Sequence, residues 1–328
     1  MNRNVFSRLR PNAREFADSG LSNQVGIQSS RLLGSDGQFN VTRTGRHRWH
    51  NLSASHELIT MKWRRFIPLV IGFYIVLNIF FAFLYYIIGM DQFMGTLGES
   101  KWDAFQEAFF FSAQTITTVG YGRTNPVGLL PNIIASLEAL IGLLIFAIVT
   151  GLMYGRFARP IAHLLFSDNA LIAPYQNGKA LMFRVANSKT NDLSDVEAQV
   201  LLGLVTYDGQ NFVRKYYTLE LERTSINALA LSWTIVHPIN ETSPMFEFTP
   251  EMMQEFEAEI LVNIKGFDTT FSQVVYSRTS FHYSAIVWNA KFRPAFKRSD
   301  DGTETILELD KLNDFDILPT TAPTTLNT

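Results

Sequence analysis

The sequence predicts a membrane α-helical part followed by a soluble β part: two transmembrane helices, a segment that enters the membrane without crossing it, and a β-sandwich. Three observations carry this. "FIPLVIGFYIVLNIFFAFLYYII", Phe66 to Ile88, has no charge over about 23 residues, enough for a helix to cross a bilayer core. A second apolar run extends from about Leu129 to Tyr154. From about Ser167 the pattern changes to short alternating segments rich in β-branched and aromatic residues.

Composition narrows the field but does not decide it. The chain of 328 residues is long enough for roughly two domains. Its net charge of −2 gives no argument for a nucleic-acid partner. It has no Cys, which excludes disulfides and thiolate metal sites. Its 6 His are scattered without metal-ligand spacing, so no resident metal or cofactor is expected. No apolar stretch precedes Arg3 to Arg48, so a cleaved signal peptide is not expected.

Residues 1–45, polar and rich in Asn, Ser, Gly and Arg, read as a flexible tail. "HNLSASHELITMKW" reads as a short amphipathic helix, capped by Ser53 or Ser55, lying at the membrane interface within residues 46–65. The first span begins with Pro68 in a tolerated position and ends near Tyr85 and Tyr86, as an interfacial aromatic belt would. The second span carries one charge, Glu138, which should face protein or water rather than lipid. Lys62, Arg64 and Arg65 precede the first span, and Arg156 and Arg159 follow the second, while the connecting segment is poor in basic residues. By the positive-inside rule both termini are cytoplasmic and the connecting loop faces out.

Eight segments beyond residue 167 read as strands: "KALMFRVAN", "AQVLLGLVTYD", "KYYTLELER", "ALSWTIVHPI", "EFEAEILVNIKGF", "FSQVVYSRTSF", "SAIVWNAKF" and "ETILELDKL". Turn signals such as Asp208-Gly209 and Asp301-Gly302 separate them, which suggests a β-sandwich. The Thr- and Pro-rich end, 316–328, reads as disordered.

The loop between the spans is the informative stretch. "KWDAFQEAFFFSAQ" reads as a helix too short to span, and "TTVGYG", Thr117 to Gly122, follows at once. Backbone exposed at that depth is tolerated only where it is buried in protein or lines water. Glycine at alternate positions permits the angles that turn successive carbonyls the same way. The preceding helix aims its negative C-terminal end at this loop. The run resembles the TVGYG signature by which potassium filters are known. Carbonyls of Thr118, Val119, Gly120 and Tyr121 would then bind K+, with the Thr118 hydroxyl at the inner end and Gly122 at the outer bend. One chain supplies one loop, so the pore implies a homotetramer.

Here the chain resembles the inward-rectifier potassium channel family, most closely its prokaryotic branch (KirBac), over about residues 50 to 315. The resemblance rests on "MKWRRF", "AFFFSAQTITTVGYG", "EALIGLL", "RFARP", "LSWTIVHPINETSP" and "IVW". It implies a homotetrameric K+ channel in the bacterial inner membrane, not an enzyme, with K+ as permeant ligand. It also implies a two-span pore domain over 66–158 and an immunoglobulin-like β-sandwich in the cytoplasm over 159–315. Gln114, Thr117 and Arg123 would support the filter. Many members have Glu where this chain has Gln114, and many potassium channels have Asp where it has Arg123, which suggests an unpaired positive charge at the outer mouth. Phe146, Thr150 and Tyr154 form one stripe of the second helix and would line the inner pore together with Glu138, Phe146 forming the constriction. Strong rectifiers carry an acid at the position of Phe146, so strong block is not implied, although Mg2+, Ba2+ or polyamines remain possible blockers. Gly142 and Gly151 would allow bending or serve packing. Lys62, Trp63, Arg64, Arg65, Arg156 and Arg159 would meet anionic phospholipids, including phosphoinositide-like ones. The basic run that eukaryotic members carry after the shared proline is "IAH" here, so a specific phosphoinositide site is not implied.

Other classes lack their marks. No Gly-rich phosphate cassette, GxGxxG, Arg-repeat helix, Ser/His/Asp set or metal cluster stands out.

Overall fold

A computed structural model describes residues 54–98, 100–158, 162–189, 191–207 and 212–319. The tail 1–45, the start of the interfacial helix including Ser53, the Asp208-Gly209 turn, Arg159 and the last nine positions, 320–328, lie outside the described residues. The described residues divide into two compact units, 54–158 and 162–319.

The first unit is helical. Short helix α1 (Ala54–Thr60) precedes α2 (Trp63–Ile88), and α3 (Lys101–Ile116) lies between α2 and α4 (Leu129–Phe157). At 1.5 Å per residue, α2 and α4 reach about 39 and 43 Å, longer than a bilayer core. Their apolar side chains are largely exposed in the single chain, as on Phe73, Phe80, Phe83, Leu140 and Leu144. Lipid and neighbouring subunits are the surroundings such a surface requires. The tolerated position expected for Pro68 is corrected: α2 starts at Trp63, so Pro68 lies inside the helix as its sixth residue and offers no N–H to the Arg64 carbonyl one turn back. α3 starts with a capping box: Ser100 Oγ accepts from Asp103 N at 3.1 Å, and Asp103 Oδ2 accepts from Ser100 N at 3.2 Å. Outside the helices, strands β1 (Phe93–Met94) and β2 (Asn125–Pro126) pair antiparallel.

The second unit is a two-sheet sandwich. Its strands are β3 (Leu164–Phe166), β4 (Ala170–Tyr175), β5 (Gly178–Asn187), β6 (Leu193–Tyr207), β7 (Phe212–Thr218), β8 (Ser225–Ala228), β9 (Ser232–Ile239), β10 (Glu259–Asp268), β11 (Gln273–His282) and β12 (Ile286–Trp288). Short pieces follow: β13 (Ala290–Phe292), β14 (Phe296–Arg298), β15 (Thr305–Leu307) and β16 (Phe315–Ile317). One sheet runs β11-β10-β6-β7, with β8 on the other half of the long β6. The facing sheet runs β12-β4-β5-β3, with β9 also on β5. Alternate residues of both sheets, including Phe183, Val185, Leu202, Leu204, Ile235, Ile260 and Phe281, form the shared core.

The "HPINETSP" segment explains itself as a latch. His237 Nδ1 donates to the Glu220 carbonyl at 2.5 Å, which leaves Nε2 to accept the Ser243 hydroxyl at 2.8 Å. Ser243 Oγ in turn accepts from Met245 N at 3.0 Å. Burial holds the His237 pKa below its usual value, so the ring is neutral.

Several expectations need correction: "KYYTLELER" is strand only to Thr218, "EFEAEILVNIKGF" opens at the end of a short helix (Pro250–Glu255) and becomes strand at Glu259, and Asp316 and Ile317, expected in the disordered end, belong to β16. "ETILELDKL" is not one strand: β15 ends at Leu307 and a single turn of 3-10 helix covers Leu309–Lys311. Glu308 at the junction takes Lys297 at 3.1 Å and Lys311 at 2.6 Å, which bends the chain there. "SAIVWNAKF" breaks at Asn289, whose φ of 52° no strand residue adopts.

Candidate functional site: the pore loop and its supports

The loop after α3 has an alternating backbone. Thr118, Gly120 and Gly122 have φ of 59°, 52° and 82°, with Val119 and Tyr121 between them at negative φ. Alternation of hand turns successive peptide planes so that their carbonyls share one side. A Cβ on Gly120 or Gly122 would meet nothing within 4 Å in the chain, so the backbone angle, not crowding, demands glycine there. Thr118 takes the same left-handed region without being glycine. For a β-branched residue this stores strain of order 1–3 kcal/mol, as functional loops do.

The inner end of the loop is pinned by α3. The Gln114 carbonyl accepts from Val119 N at 3.0 Å and Gly120 N at 3.3 Å, and the Thr117 hydroxyl donates to the Ala113 carbonyl at 2.7 Å. Gln114 therefore supports the loop through its main chain. At the outer end, Asn125 Nδ2 donates to the Gly122 carbonyl at 2.7 Å. The expected unpaired charge on Arg123 is corrected: its Nη2 lies 3.1 Å from Glu107 Oε1. The two residues sit 16 apart in the chain and meet because the loop folds back along α3.

Glu138 is also corrected. It does not line the inner pore with Phe146 but is fully buried behind the loop. Its carboxylate accepts the Tyr85 hydroxyl (α2) and the Ser112 hydroxyl (α3), each at 2.5 Å. Ser112 Oγ also lies 3.2 Å from Asn78 Oδ1, and Asn78 Nδ2 donates to the Tyr74 carbonyl at 2.7 Å. A carboxylate in a span needs such donors, and α2 and α3 supply them. One turn on, Gly142 is buried where its Cβ would fall 2.5 Å from the Ile116 carbonyl oxygen. Gly142 is thus a close-packing position, while a Cβ at Gly151 would meet nothing within 4 Å.

Lower on α4, Phe146, Thr150 and Tyr154 are exposed along one stripe, Phe146 at 72% and Tyr154 at 74%. Phe146 borders an apolar groove of about 830 Å³ that runs between α2 and α4 up to Thr117 and Thr118.

Arg156 departs from its expected place among lipid headgroups. Its guanidinium donates to the carbonyls of Leu58 (2.5 Å), Ile59 (3.3 Å) and Met61, capping the end of α1. It also lies 4.5 Å from the Trp63 ring centroid and 4.3 Å from that of Phe66. The carbonyls left open where a seven-residue helix ends attract a cation, and the aromatic faces hold it there. Lys62, Trp63, Arg64 and Arg65 are exposed.

Sequence reasoning named the loop but missed Glu107, Asn125, Ser112 and Asn78, and its placement of Tyr85 in an interfacial belt is corrected: Tyr85 is fully buried with its hydroxyl on Glu138. The polar Asn78 within an otherwise apolar span was a signal for the last group.

Comparison with known proteins places these features. Residues 73–159 match the ion channel family, and residues 164–322 match the inward rectifier potassium channel C-terminal domain. The inward rectifier potassium channel Kirbac3.1 of Paramagnetospirillum magnetotacticum is 34% identical over 287 residues, covering 87% of this chain and 95% of that protein. The human ATP-sensitive inward rectifier potassium channel 15 is 30% identical, covering 75% of this chain and 70% of that protein. The mouse G protein-activated inward rectifier potassium channel 4 is 25% identical, with 72% and 61% covered. Likeness of this extent, through the helical unit and the β-domain alike, makes the chain a member of the inward rectifier potassium channel family: a tetrameric membrane ion channel, not an enzyme.

Proposed function

We propose that four copies bring their 118–122 runs around one axis, where K+ exchanges its water shell for the carbonyls of Thr118, Val119, Gly120 and Tyr121. The alternating left-handed residues at 118, 120 and 122 carry this reading. The Thr118 hydroxyl closes the inner end and Gly122 the outer bend. The channel sits in the bacterial inner membrane with both termini in the cytoplasm. The pore domain covers 66–158, and the cytoplasmic sandwich covers 159–315.

Phe146 forms the constriction below the filter, with Thr150 and Tyr154 on the same stripe. Four such rings close a path by dewetting. The exposure of this stripe in the single chain supports the assignment. Gly151, with open space around it, is the bending point. Lys62, Trp63, Arg64 and Arg65, with Arg159, meet anionic headgroups. Ba2+ blocks at the filter. Block by Mg2+ or polyamines is weak, because the span carries Phe146 where strong rectifiers carry an acid.

The test is flux of K+, Rb+ and Na+ into vesicles with and without anionic lipid. Barium-sensitive K+ and Rb+ flux that excludes Na+ is expected, and Phe146→Ala raises it. Absence of flux under every lipid condition overturns the conduction reading, and an unchanged Phe146→Ala overturns the gate.

A further inference from the structure

The outer end of the filter is held by a cluster of contacts within one subunit. Glu107, in the second turn of α3, is mostly buried, with 12% of its side chain exposed. Its Oε1 accepts from Leu97 N at 2.8 Å and from Arg123 Nη2 at 3.1 Å. Its Oε2 is buried and has no partner among the described residues. Arg123 follows Gly122 directly, so whatever holds Arg123 holds the last residue of the filter. The segment before α3 presses on the same place. Gly95, at φ 82°, passes so close that a Cβ would fall 1.8 Å from the Arg123 carbonyl oxygen. Met94 pairs with Asn125, Val127 N donates to the Gln92 carbonyl at 2.8 Å, and Asn125 Nδ2 donates to the Gly122 carbonyl. Position 114, behind the filter, carries an amide that holds the loop through its main chain and cannot supply a charge.

An ion pair between two exposed side chains contributes little. This one differs, because the acid is mostly buried. Removal of Arg123 leaves a desolvated carboxylate with a single N–H donor, and removal of Glu107 frees the residue next to the filter.

We propose that the Glu107–Arg123 ion pair is a positioning element for ion selection, fixing the outer end of the filter to its own pore helix where position 114 offers no charge. The inference rests on the filter reading above. Neither residue touches the permeant ion. They act through Gly122 and through the segment that Gly95 and Asn125 hold against it.

The experiment compares Glu107→Gln, Arg123→Gln and the double variant with the wild-type tetramer in vesicles, reading Na+ against K+ flux. A clamp predicts that both single variants raise the Na+/K+ flux ratio, each about tenfold, since displacement of a binding geometry by a fraction of an ångström is costly. The double variant should be no worse than either single one, because both remove the same contact. A pure charge effect predicts otherwise: Arg123→Gln raises and Glu107→Gln lowers flux of all cations, with the ratio unchanged. That pattern overturns the inference, and so do ratios within about twofold of wild type or effects that simply multiply. Arg123→Lys, which keeps the charge and one donor, should sit between wild type and Arg123→Gln, and it covers a failure of Arg123→Gln to assemble. Wild-type protein without K+ flux would instead overturn the conduction reading.

Discussion

Substitution of Gly142 by alanine should strain the contact between the inner helix and the end of the pore helix. The added Cβ would lie 2.5 Å from the Ile116 carbonyl oxygen, 3.0 Å from Ile116 Cα and 3.1 Å from its carbonyl carbon. Against the 3.4 Å where ordinary contact begins, the oxygen is short by about 0.9 Å. All three atoms are main chain, so no rotamer change relieves the overlap and the two helices must move apart. Overpacking of this kind costs about 1–3 kcal/mol, of which alanine's higher helix propensity offsets at most about 1. Ile116 is the last residue of α3, directly before the loop, so the displacement reaches Thr117 and Thr118. The assay is survival of the detergent-solubilised tetramer after heating, read by size-exclusion chromatography, alongside Rb+ flux in vesicles. Gly142→Ala should lower the midpoint and impair flux. Gly151→Ala, whose Cβ would meet nothing within 4 Å in the chain, should keep or raise the midpoint. If Gly142→Ala is as benign as Gly151→Ala, the glycine is not a packing residue and the reasoning fails.

Three further outcomes can be checked. Glu138→Leu orphans the buried Tyr85 hydroxyl and should cost about 1–3 kcal/mol of tetramer stability. Tyr85→Phe in that background should recover part of it, and simple additivity in a thermal double-mutant cycle would count against the network. Arg156→Leu removes the cap of α1 and its stacking on Trp63 and Phe66; a loss of about 2 kcal/mol should raise amide exchange over residues 54–60 roughly 30-fold. For the β-domain, the pKa of His237 is depressed by burial, so the unfolded chain binds the extra proton first. Stability from this latch is therefore present above pH about 6.5 and falls as pH drops below it, and His237→Gln should flatten the fall between pH 7.5 and 5.5 in a melt followed by tryptophan fluorescence.

The parts legible in the sequence share a local cause. An uncharged run long enough to cross a bilayer, strict alternation in "LSWTIVHPI", and glycines at 120 and 122 each report on their own few residues. What stayed hidden depends on distant partners. Arg156 was read as a headgroup residue because a cation after a span usually is one. Its acceptors lie 95 to 98 positions earlier. Glu107 and Arg123 face each other only once the loop has turned back along α3. Thr118 could not be foreseen at positive φ, since its side chain argues against that angle and only the surrounding hydrogen bonds hold it there. Strand β4, "ALIAPY", escaped notice because it is buried over its first four residues, so alternation is absent.

The attachments of α4 at its two ends have a mechanical consequence. Near Glu138 and Gly142 the helix is welded to its own pore helix, and at Arg156 it is tied to α1. Between Gly142 and Arg156 lie about 21 Å of helix, four turns carrying Phe146 and Gly151. This stretch is a lever held at both ends: its Arg156 end moves with α1, while its root, beside the loop, is held by the pore helix. On the reading proposed above, opening of the inner mouth leaves the carbonyls of residues 118–121 in place, and selectivity should be the same whatever drives the opening.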